Sequence, residues 1–195
     1  MSLVLACGLV TAGAVEARAG TTFTPSGGPA VNLVGTNVVF HFDEIGQDFR
    51  CSPFNIAGQV TSPGTGRAFG SEAVDLGGLT DTCSNPIWGL TDFSADPAWR
   101  LTVTGAATGP TWPVRLEQMA MSLSALNCTV KFGGAVDGTF DTSTQRFTPS
   151  TSALLVSSVT GSMCVMLDFQ VGDHALLQGY FTNLPPAGSG PLSIS

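Results

Sequence analysis

The chain has 195 residues, a length that suits a single domain with a sizeable buried core. Hydrophobic residues make up 43% of the sequence and charged residues only 11%, which excludes the highly charged, poorly apolar class of disordered chains. The formal net charge is −7 and the few basic residues are spread singly, which argues against binding to nucleic acid or to an anionic membrane surface.

The first segment has the features of a secretory signal peptide. Residues 3–15 form an apolar run, and Ala17-Arg18-Ala19 matches the small-x-small pattern of a cleavage site. The run is shorter than the roughly 20 residues that a membrane-spanning helix needs, so we expect no transmembrane segment. We predict a signal peptide over residues 1–19, a secreted β domain over residues 20–195, and a secreted or cell-surface location.

Cys7 permits a second interpretation of the same segment. Val4-Leu5-Ala6-Cys7 resembles a lipobox, in which the cysteine is lipidated after cleavage. A lipobox cysteine ends the apolar run, whereas this run continues to Val15, so we expect Cys7 to be removed with the signal peptide and keep lipidation as the alternative. No basic residue precedes Leu3, which is atypical of a signal peptide and is explained if translation starts upstream.

The remaining four cysteines are an even number in a predicted exported chain, which favours disulfides: Cys51, Cys83, Cys128 and Cys164. Their spacing includes no C-x-x-C pair, so zinc binding and thiol redox chemistry are disfavoured. Counting alone leaves three connectivities open.

A comparison of the two halves of the chain favours one connectivity. Each half contains a cysteine, a strand ending in a Gly-x-Val or Gly-Ala-Val pattern, a loop, an apolar strand and a second cysteine. The cysteines are 32 residues apart in the first half and 36 apart in the second. We therefore predict an internal pseudo-duplication with one bridge in each half, Cys51–Cys83 and Cys128–Cys164.

Alternation of apolar and polar residues predicts strands along most of the chain. In residues 99–104, for example, the side chains of Trp99, Leu101 and Val103 fall on one face. The same alternation, or a hairpin pattern, occurs in residues 38–42, 139–148, 165–171, 175–181 and 192–194. Short strands separated by Gly- and Pro-rich turns are typical of an all-β single domain, either a sandwich or barrel-like.

Residues 114–126 allow two interpretations. Leu116, Met119 and Leu123 fit one face of a helix, whereas Met119, Met121 and Leu123 fit one face of a strand. In a strand, Val114 and Leu116 have the opposite parity, which a bulge near Glu117 would correct. We prefer the strand and keep a single helix as the alternative.

The sequence contains no recognisable catalytic or cofactor motif. His41 and His174 have carboxylates beside them, but no G-x-S-x-G nucleophile motif accompanies them. The acidic residues lie mostly beside turn-forming residues, as caps do, and Asp137 and Asp141 lack the ligand order of an EF-hand loop. We therefore expect a non-enzymatic protein with no catalytic, cofactor-binding or metal-binding residues, with a hydrolase of scattered site residues as an alternative.

The tryptophans suggest a further alternative, a carbohydrate- or protein-binding module. Trp99 falls on the apolar face of its strand and is assigned to the core. Trp88 and Trp112 lie in Pro-rich loops, where exposed indole rings would suit a glycan or a protein ligand. Packing beneath a loop is the simpler expectation, and Trp88 and Trp112 remain candidate ligand-binding residues.

Several short motifs are similar to those of small secreted two-disulfide β proteins of actinobacteria, most of them of unknown function. The resemblance consists of Thr22-Phe-Thr24, the small-Gly-x-Val pattern after Cys51, Cys83-Ser-Asn-Pro86, Trp99-Arg-Leu101 and Gly172-Asp173. It implies an extracellular β fold and no catalytic residue. Our main hypothesis is a non-enzymatic extracellular structural or binding protein whose ligand, a glycan or a protein, is unknown.

Overall fold

A computed structural model describes residues 20–95 and 98–195, and the predicted signal peptide with Cys7 lies outside these residues. The described chain consists of thirteen strands and one short 3-10 helix, η1. In chain order they are β1 (Thr22–Phe23), β2 (Pro25–Gly28), β3 (Ala30–Phe42), β4 (Gln47–Val60), β5 (Arg67–Ala68), β6 (Ser71–Asn85), β7 (Gly89–Ala95), β8 (Trp99–Val103), β9 (Thr111–Ala125), β10 (Cys128–Asp141), β11 (Arg146–Thr160), η1 (Ser162–Met166), β12 (His174–Asn183) and β13 (Gly190–Ile194).

Nine of the strands form one antiparallel sheet that closes on itself. The order runs β10-β11-β12-β3-β4-β6, and β6 then pairs with β7 over one half of its length and with β8 over the other. Both β7 and β8 pair with β9, and β9 pairs with β10, which completes the ring. The predicted all-β fold is confirmed. Of the two predicted arrangements, a sandwich and a barrel-like sheet, the closed sheet is the barrel-like one.

Phenylalanine rings fill the interior of the barrel. Alternate residues of each strand point inward, and the ring of Phe40 lies 5.5–5.6 Å from the rings of Phe54, Phe93 and Phe132, measured between centroids. Phe40, Phe54 and Phe132 are almost completely buried. The contacts with Phe54 and Phe132 are edge-to-face and that with Phe93 is stacked, and such contacts add to the free energy gained by burying the rings. The interior is therefore a packed core and not a ligand cavity.

Residues 114–126, which allowed either a strand or a helix, belong to strand β9, so the preferred prediction of a strand is confirmed. Trp112, Val114 and Leu116 point inward, and after a bulge the inward positions change parity to Met119, Met121 and Leu123. The bulge falls between Leu116 and Met119, where β9 has one residue more than its partner β10, and Gln118 has a φ of 57°. The extra residue explains why a single parity does not describe the segment.

Both predicted disulfides are present, Cys51–Cys83 and Cys128–Cys164. Their surroundings differ, because the first joins directly opposite residues of neighbouring strands β4 and β6. The second joins the start of β10 to η1, outside the sheet. The predicted hairpin over residues 139–148 is also present, with Asp141 paired with Arg146.

The prediction of a strand over residues 165–171 is wrong. Residues 162–166 form η1, and the chain then continues without strand structure to the start of β12. Of the four apolar residues of one parity in this segment, Leu167 and Phe169 are buried against the barrel, whereas Val165 and Val171 are exposed. A segment that crosses the end of a barrel can bury alternate residues without pairing with a neighbouring strand.

The two ends of the barrel differ in what closes them. One end, which we call the loop end, comprises the turns at residues 43–46, 86–88 and 126–127 and the segment 161–173. The opposite end, the terminal end, carries both ends of the described domain, where Thr24 and Ser195 exchange two backbone hydrogen bonds. The described part of the chain contains no helix with the length and apolar character that a membrane crossing requires.

The packed interior predicts a large effect of core truncation. Phe132→Ala should lower the free energy of unfolding by about 3–5 kcal/mol, because it removes a buried ring that contacts Phe40 and Phe42. Leu155→Ala, a partly exposed position on the adjacent strand β11, should change it by only about 0.5 kcal/mol. Urea denaturation followed by circular dichroism measures both, and equal losses would contradict the assignment of the core.

Candidate functional site

The two candidate tryptophans do not form an exposed binding surface. Trp88 is only 4% exposed and Trp112 only 9% exposed, and both belong to the hydrophobic core. Trp112 is an inward residue of β9, and Trp88 packs against Phe49 and Phe169 with centroid distances of 5.5 and 5.6 Å. Both rings therefore pack beneath their loops, which was the simpler expectation, and are not exposed for stacking on a glycan.

The loop end is plugged by aromatic side chains from two connections and from the adjoining strands β3 and β4. Phe169 of the segment 161–173 lies 4.9 Å from Phe42 at the end of β3 and also contacts Trp88 of the turn 86–88. Phe49 at the start of β4 completes the group. The outer surface of the loop end therefore rests on a packed aromatic layer.

The segment 161–173 is attached to the barrel at both of its ends. At its start, Cys164 is bonded to Cys128, and the Asn127 amide donates a hydrogen bond to Ser162 Oγ. Gly161 has a φ of 110°, and a Cβ there would lie only 2.0 Å from the Asn127 carbonyl oxygen, so a side chain is excluded at this contact. At its end, Gly172 donates a backbone hydrogen bond to the Val156 carbonyl.

Most of the exposed large apolar side chains are concentrated at the loop end. Six of the nine in the described chain lie in its turns and in the segment 161–173, and a seventh, Leu90, lies two residues beyond the turn 86–88. Val165 is 80% exposed and Val171 is 68% exposed. We call these seven the apolar set: Ile87, Leu90, Leu126, Met163, Val165, Met166 and Val171. The other two exposed positions are outside the set: Leu155 lies on the barrel wall opposite His174 at the start of β12, and Leu184 follows β12 at the terminal end.

The loop end is also acidic. Its turns and the segment 161–173 contain Asp43, Glu44, Asp168 and Asp173 but no lysine or arginine. Asp92 lies close by on β7, opposite Ser124. Arg50 is near on β4, but its guanidinium is 2.7 Å from an Asp48 carboxylate oxygen. The surface that carries the apolar set therefore has an excess of negative charge.

A shallow groove of about 430 Å³ on the barrel wall begins beside the loop end. Asp92, Ser124 and Thr160 supply polar groups to its lining, and Leu126 and Asn127 of the turn belong to it. The groove thus extends the exposed apolar surface onto the wall, where hydroxyl and carboxylate groups are available for hydrogen bonds.

The histidines also lie beside the loop end, where both contact carboxylates. His41 Nδ1 is 2.7 Å from an oxygen of Asp48. Glu44 receives a hydrogen bond of 2.7 Å from the His174 backbone N–H and lies 2.6 Å from His174 Nδ1. Among the described residues, neither imidazole is hydrogen bonded to a serine, threonine or cysteine side chain. The arrangement links the turn 43–46 to the start of β12 and contains no nucleophile–base pair.

Asp137 and Asp141, weighed as calcium ligands, have structural partners. Arg115 donates two hydrogen bonds to the Asp137 carboxylate, and Asp141 accepts hydrogen bonds from the backbone N–H groups of Ser143 and Thr144. A hydrogen bond from the Ser143 hydroxyl, followed by the one from the Thr144 backbone N–H, lowers the pKa of Asp141. Within residues 20–95 and 98–195, no group of three or more His, Cys, Asp or Glu side chains is placed to hold a metal ion.

Comparison with known proteins gave no match: no family model matches the chain, and no curated protein or solved structure is significantly similar to it. The candidate surface is therefore defined by the geometry of this chain.

Glu44 and His174 predict a pH-dependent contribution to stability. The hydrogen bond to Glu44, followed by the charge of Glu44, raises the pKa of His174 above its ordinary 6.5, and the same contacts lower the pKa of Glu44 below its ordinary 4.5. The contribution of the raised histidine is complete below pH 6.5 and is lost as pH rises through its folded-state pKa. The contribution of Glu44 is complete above pH 4.5 and is lost on further acidification.

An NMR titration of His174 tests this pair. Glu44→Gln should return the pKa of His174 towards 6.5, because it removes the charge and the strongest acceptor. Asp75→Asn, at an exposed position on β6 away from the loop end, should leave it raised. An unchanged titration in Glu44→Gln would show that this contact does not control the histidine.

The two disulfides should have similar effects on global stability but different local effects. Each closes a loop of 32 or 36 residues, so replacement of either pair by alanine should cost about 3–4 kcal/mol in the chain-entropy model. Only Cys128→Ala/Cys164→Ala should accelerate amide hydrogen exchange in residues 161–173, because that bridge anchors the segment. Faster exchange there in Cys51→Ala/Cys83→Ala as well, to the same degree, would count against a specific anchoring role.

Proposed function

We propose that this chain is a non-enzymatic extracellular binding protein whose binding surface is the loop end. The observation that carries the proposal is the concentration of the apolar set at one end of the barrel. Monomeric soluble proteins seldom expose large contiguous apolar patches, and such patches commonly mark interaction sites. Single exposed apolar residues such as Leu155 and Leu184 are ordinary and carry no such implication.

The firm attachment of the loop end to a closed sheet supports this proposal. Binding residues are often found on loops that a rigid scaffold positions. Here the scaffold is a closed sheet, and the segment 161–173 is attached by Cys164, by backbone hydrogen bonds and by the buried ring of Phe169. A surface ordered before binding loses less conformational entropy when a partner docks.

An extracellular location is part of the proposal. Two disulfides suit an oxidising compartment, and the signal-peptide pattern of residues 1–19 predicts export. The resemblance to small secreted actinobacterial proteins agrees with the same location. The alternative of a glycan platform loses its support because Trp88 and Trp112 are buried, and no observation favours the hydrolase alternative.

A loop-end variant and a control variant test the binding surface. Val165→Ser/Val171→Ser removes two of the most exposed members of the apolar set, whereas Leu184→Ser removes an exposed apolar residue at the terminal end. The measurement is saturable binding of fluorescently labelled protein to intact cells of the producing organism, with competition by unlabelled protein. The loop-end variant should bind at least about tenfold more weakly, because each lost apolar contact at the centre of an interface costs about 1 kcal/mol or more.

The control variant should bind and compete like the unaltered protein. Thermal unfolding of both variants checks that the substitutions, which are at exposed positions, leave the domain folded. Equal binding by the two variants, or the absence of any saturable site on the cells, would refute the proposed function.

A further inference from the structure

We infer that the partner of the loop end is a protein segment that presents apolar residues together with lysine or arginine, a cationic amphipathic segment. This inference rests on the proposed function and adds the chemistry of the partner. It is drawn from the combination of the apolar set with the excess of carboxylates in the same turns.

Carboxylates predominate around the apolar set. Asp43 and Glu44 lie on the turn 43–46, Asp168 lies between the exposed residues Met166 and Val171, and all three carboxylates are exposed. The described turns and segment of the loop end contain no lysine or arginine, but His174 contacts Glu44 and His41 Nε2 is 3.6 Å from Asp43. Asp168 and Asp92, which form no ion pair within the described residues, therefore supply the unbalanced charge. Charges that surround an apolar centre select partners by complementarity and increase the rate of association.

The same charges disfavour two other occupants. In a symmetric dimer through the loop ends, the carboxylates of one copy would face those of the other, and like charges across an interface are unfavourable. An anionic membrane surface attracts basic residues and would repel this end of the barrel. A cationic segment gains from both features of the surface, because its apolar face covers the apolar set while its basic groups approach the carboxylates.

The groove beside the loop end provides a place for part of such a segment. It begins at Leu126 and continues along the wall past Asp92 and Ser124. The Asp92 carboxylate is exposed there and lies within reach of a basic side chain from a segment that covers Leu126. The polar lining suits the backbone and side-chain hydrogen bonds that a peptide brings with it.

A set of three synthetic amphipathic peptides tests the inference. All three carry the same leucine face, and the opposite face carries lysine, glutamine or glutamate. Fluorescence anisotropy with the intact secreted domain should show the lysine peptide binding about tenfold more tightly than the glutamine peptide, and the glutamate peptide most weakly. The advantage of lysine over glutamine should shrink as ionic strength rises from about 0.01 M to about 0.15 M, since the Debye length falls from ~30 Å to ~8 Å.

Two charge variants locate the effect. Asp92→Asn/Asp168→Asn should reduce the preference for lysine over glutamine about three- to tenfold, and asparagine suits the positive φ of 56° at Asp168. Asp75→Asn/Asp137→Asn removes the same number of charges away from the loop end and should preserve the preference. If the second pair has the larger effect, or if the lysine peptide does not bind while anionic vesicles do, the inference is overturned.

The outcomes separate the inference from the proposed function. If all three peptides bind equally and Val165→Ser/Val171→Ser abolishes the binding, the loop end is a binding surface without charge selection, so only the inference fails. If the lysine peptide binds with unchanged affinity to Val165→Ser/Val171→Ser, the apolar set does not contribute and both proposals fail. Sedimentation equilibrium that shows a tight dimer, lost in the same variant, would assign the surface to a second copy and overturn the inference.

Discussion

Closure of the antiparallel sheet is the constraint on which the rest of this structure depends. When β9 pairs with β10, every strand of the nine-stranded sheet has a neighbour on both sides, so the sheet has no free edge strand, although β11 and β12 pair only near their two ends. The closed sheet also creates an interior that must be filled, and the side chains of residues such as Phe40, Phe54 and Phe132 fill it. The closed sheet contains two irregularities. β6 divides its pairing between β7 and β8, and β9 has an extra residue between Leu116 and Met119.

A closed sheet still has two open ends, and this chain covers them in different ways. At the terminal end, Phe23, Leu192 and Ile194 are buried as part of the core, and Gln145 donates a hydrogen bond to the Leu192 carbonyl. At the loop end, the segment 161–173 crosses the opening and buries Leu167 and Phe169, while Val165 and Val171 are exposed. The segment that plugs the opening therefore also carries part of the exposed surface, and the Cys128–Cys164 bridge holds it in place.

The sequence predicted the features that depend on local pattern. Alternation identified the all-β class, the displaced parity between Leu116 and Met119 identified the bulge, and the similar cysteine spacing identified both bridges. Alternation failed at residues 165–171, where only Leu167 and Phe169 of the apolar residues of one parity are buried and the backbone pairs with no neighbouring strand. Packing beneath a loop was the simpler expectation for Trp88, but its loop position does not reveal its partners, Phe49 and Phe169. The loop end itself was not foreseen, since Ile87, Leu126 and Val165 are far apart in sequence and lie at one end of the barrel only when the sheet closes.

The position of Gly20 and Ser195, the two ends of the described domain, at the terminal end has a practical and biological consequence. Strands of about 14 residues, tilted as in a closed sheet, place the loop end roughly 30–40 Å from both of them. A domain fused to either end of the described domain, or an anchor attached there, would therefore leave the loop end uncovered. Such a molecule has two functionally different ends, one for attachment and the other for presentation of the binding surface. Tandem copies joined through their terminal ends would display several loop ends to one multivalent target.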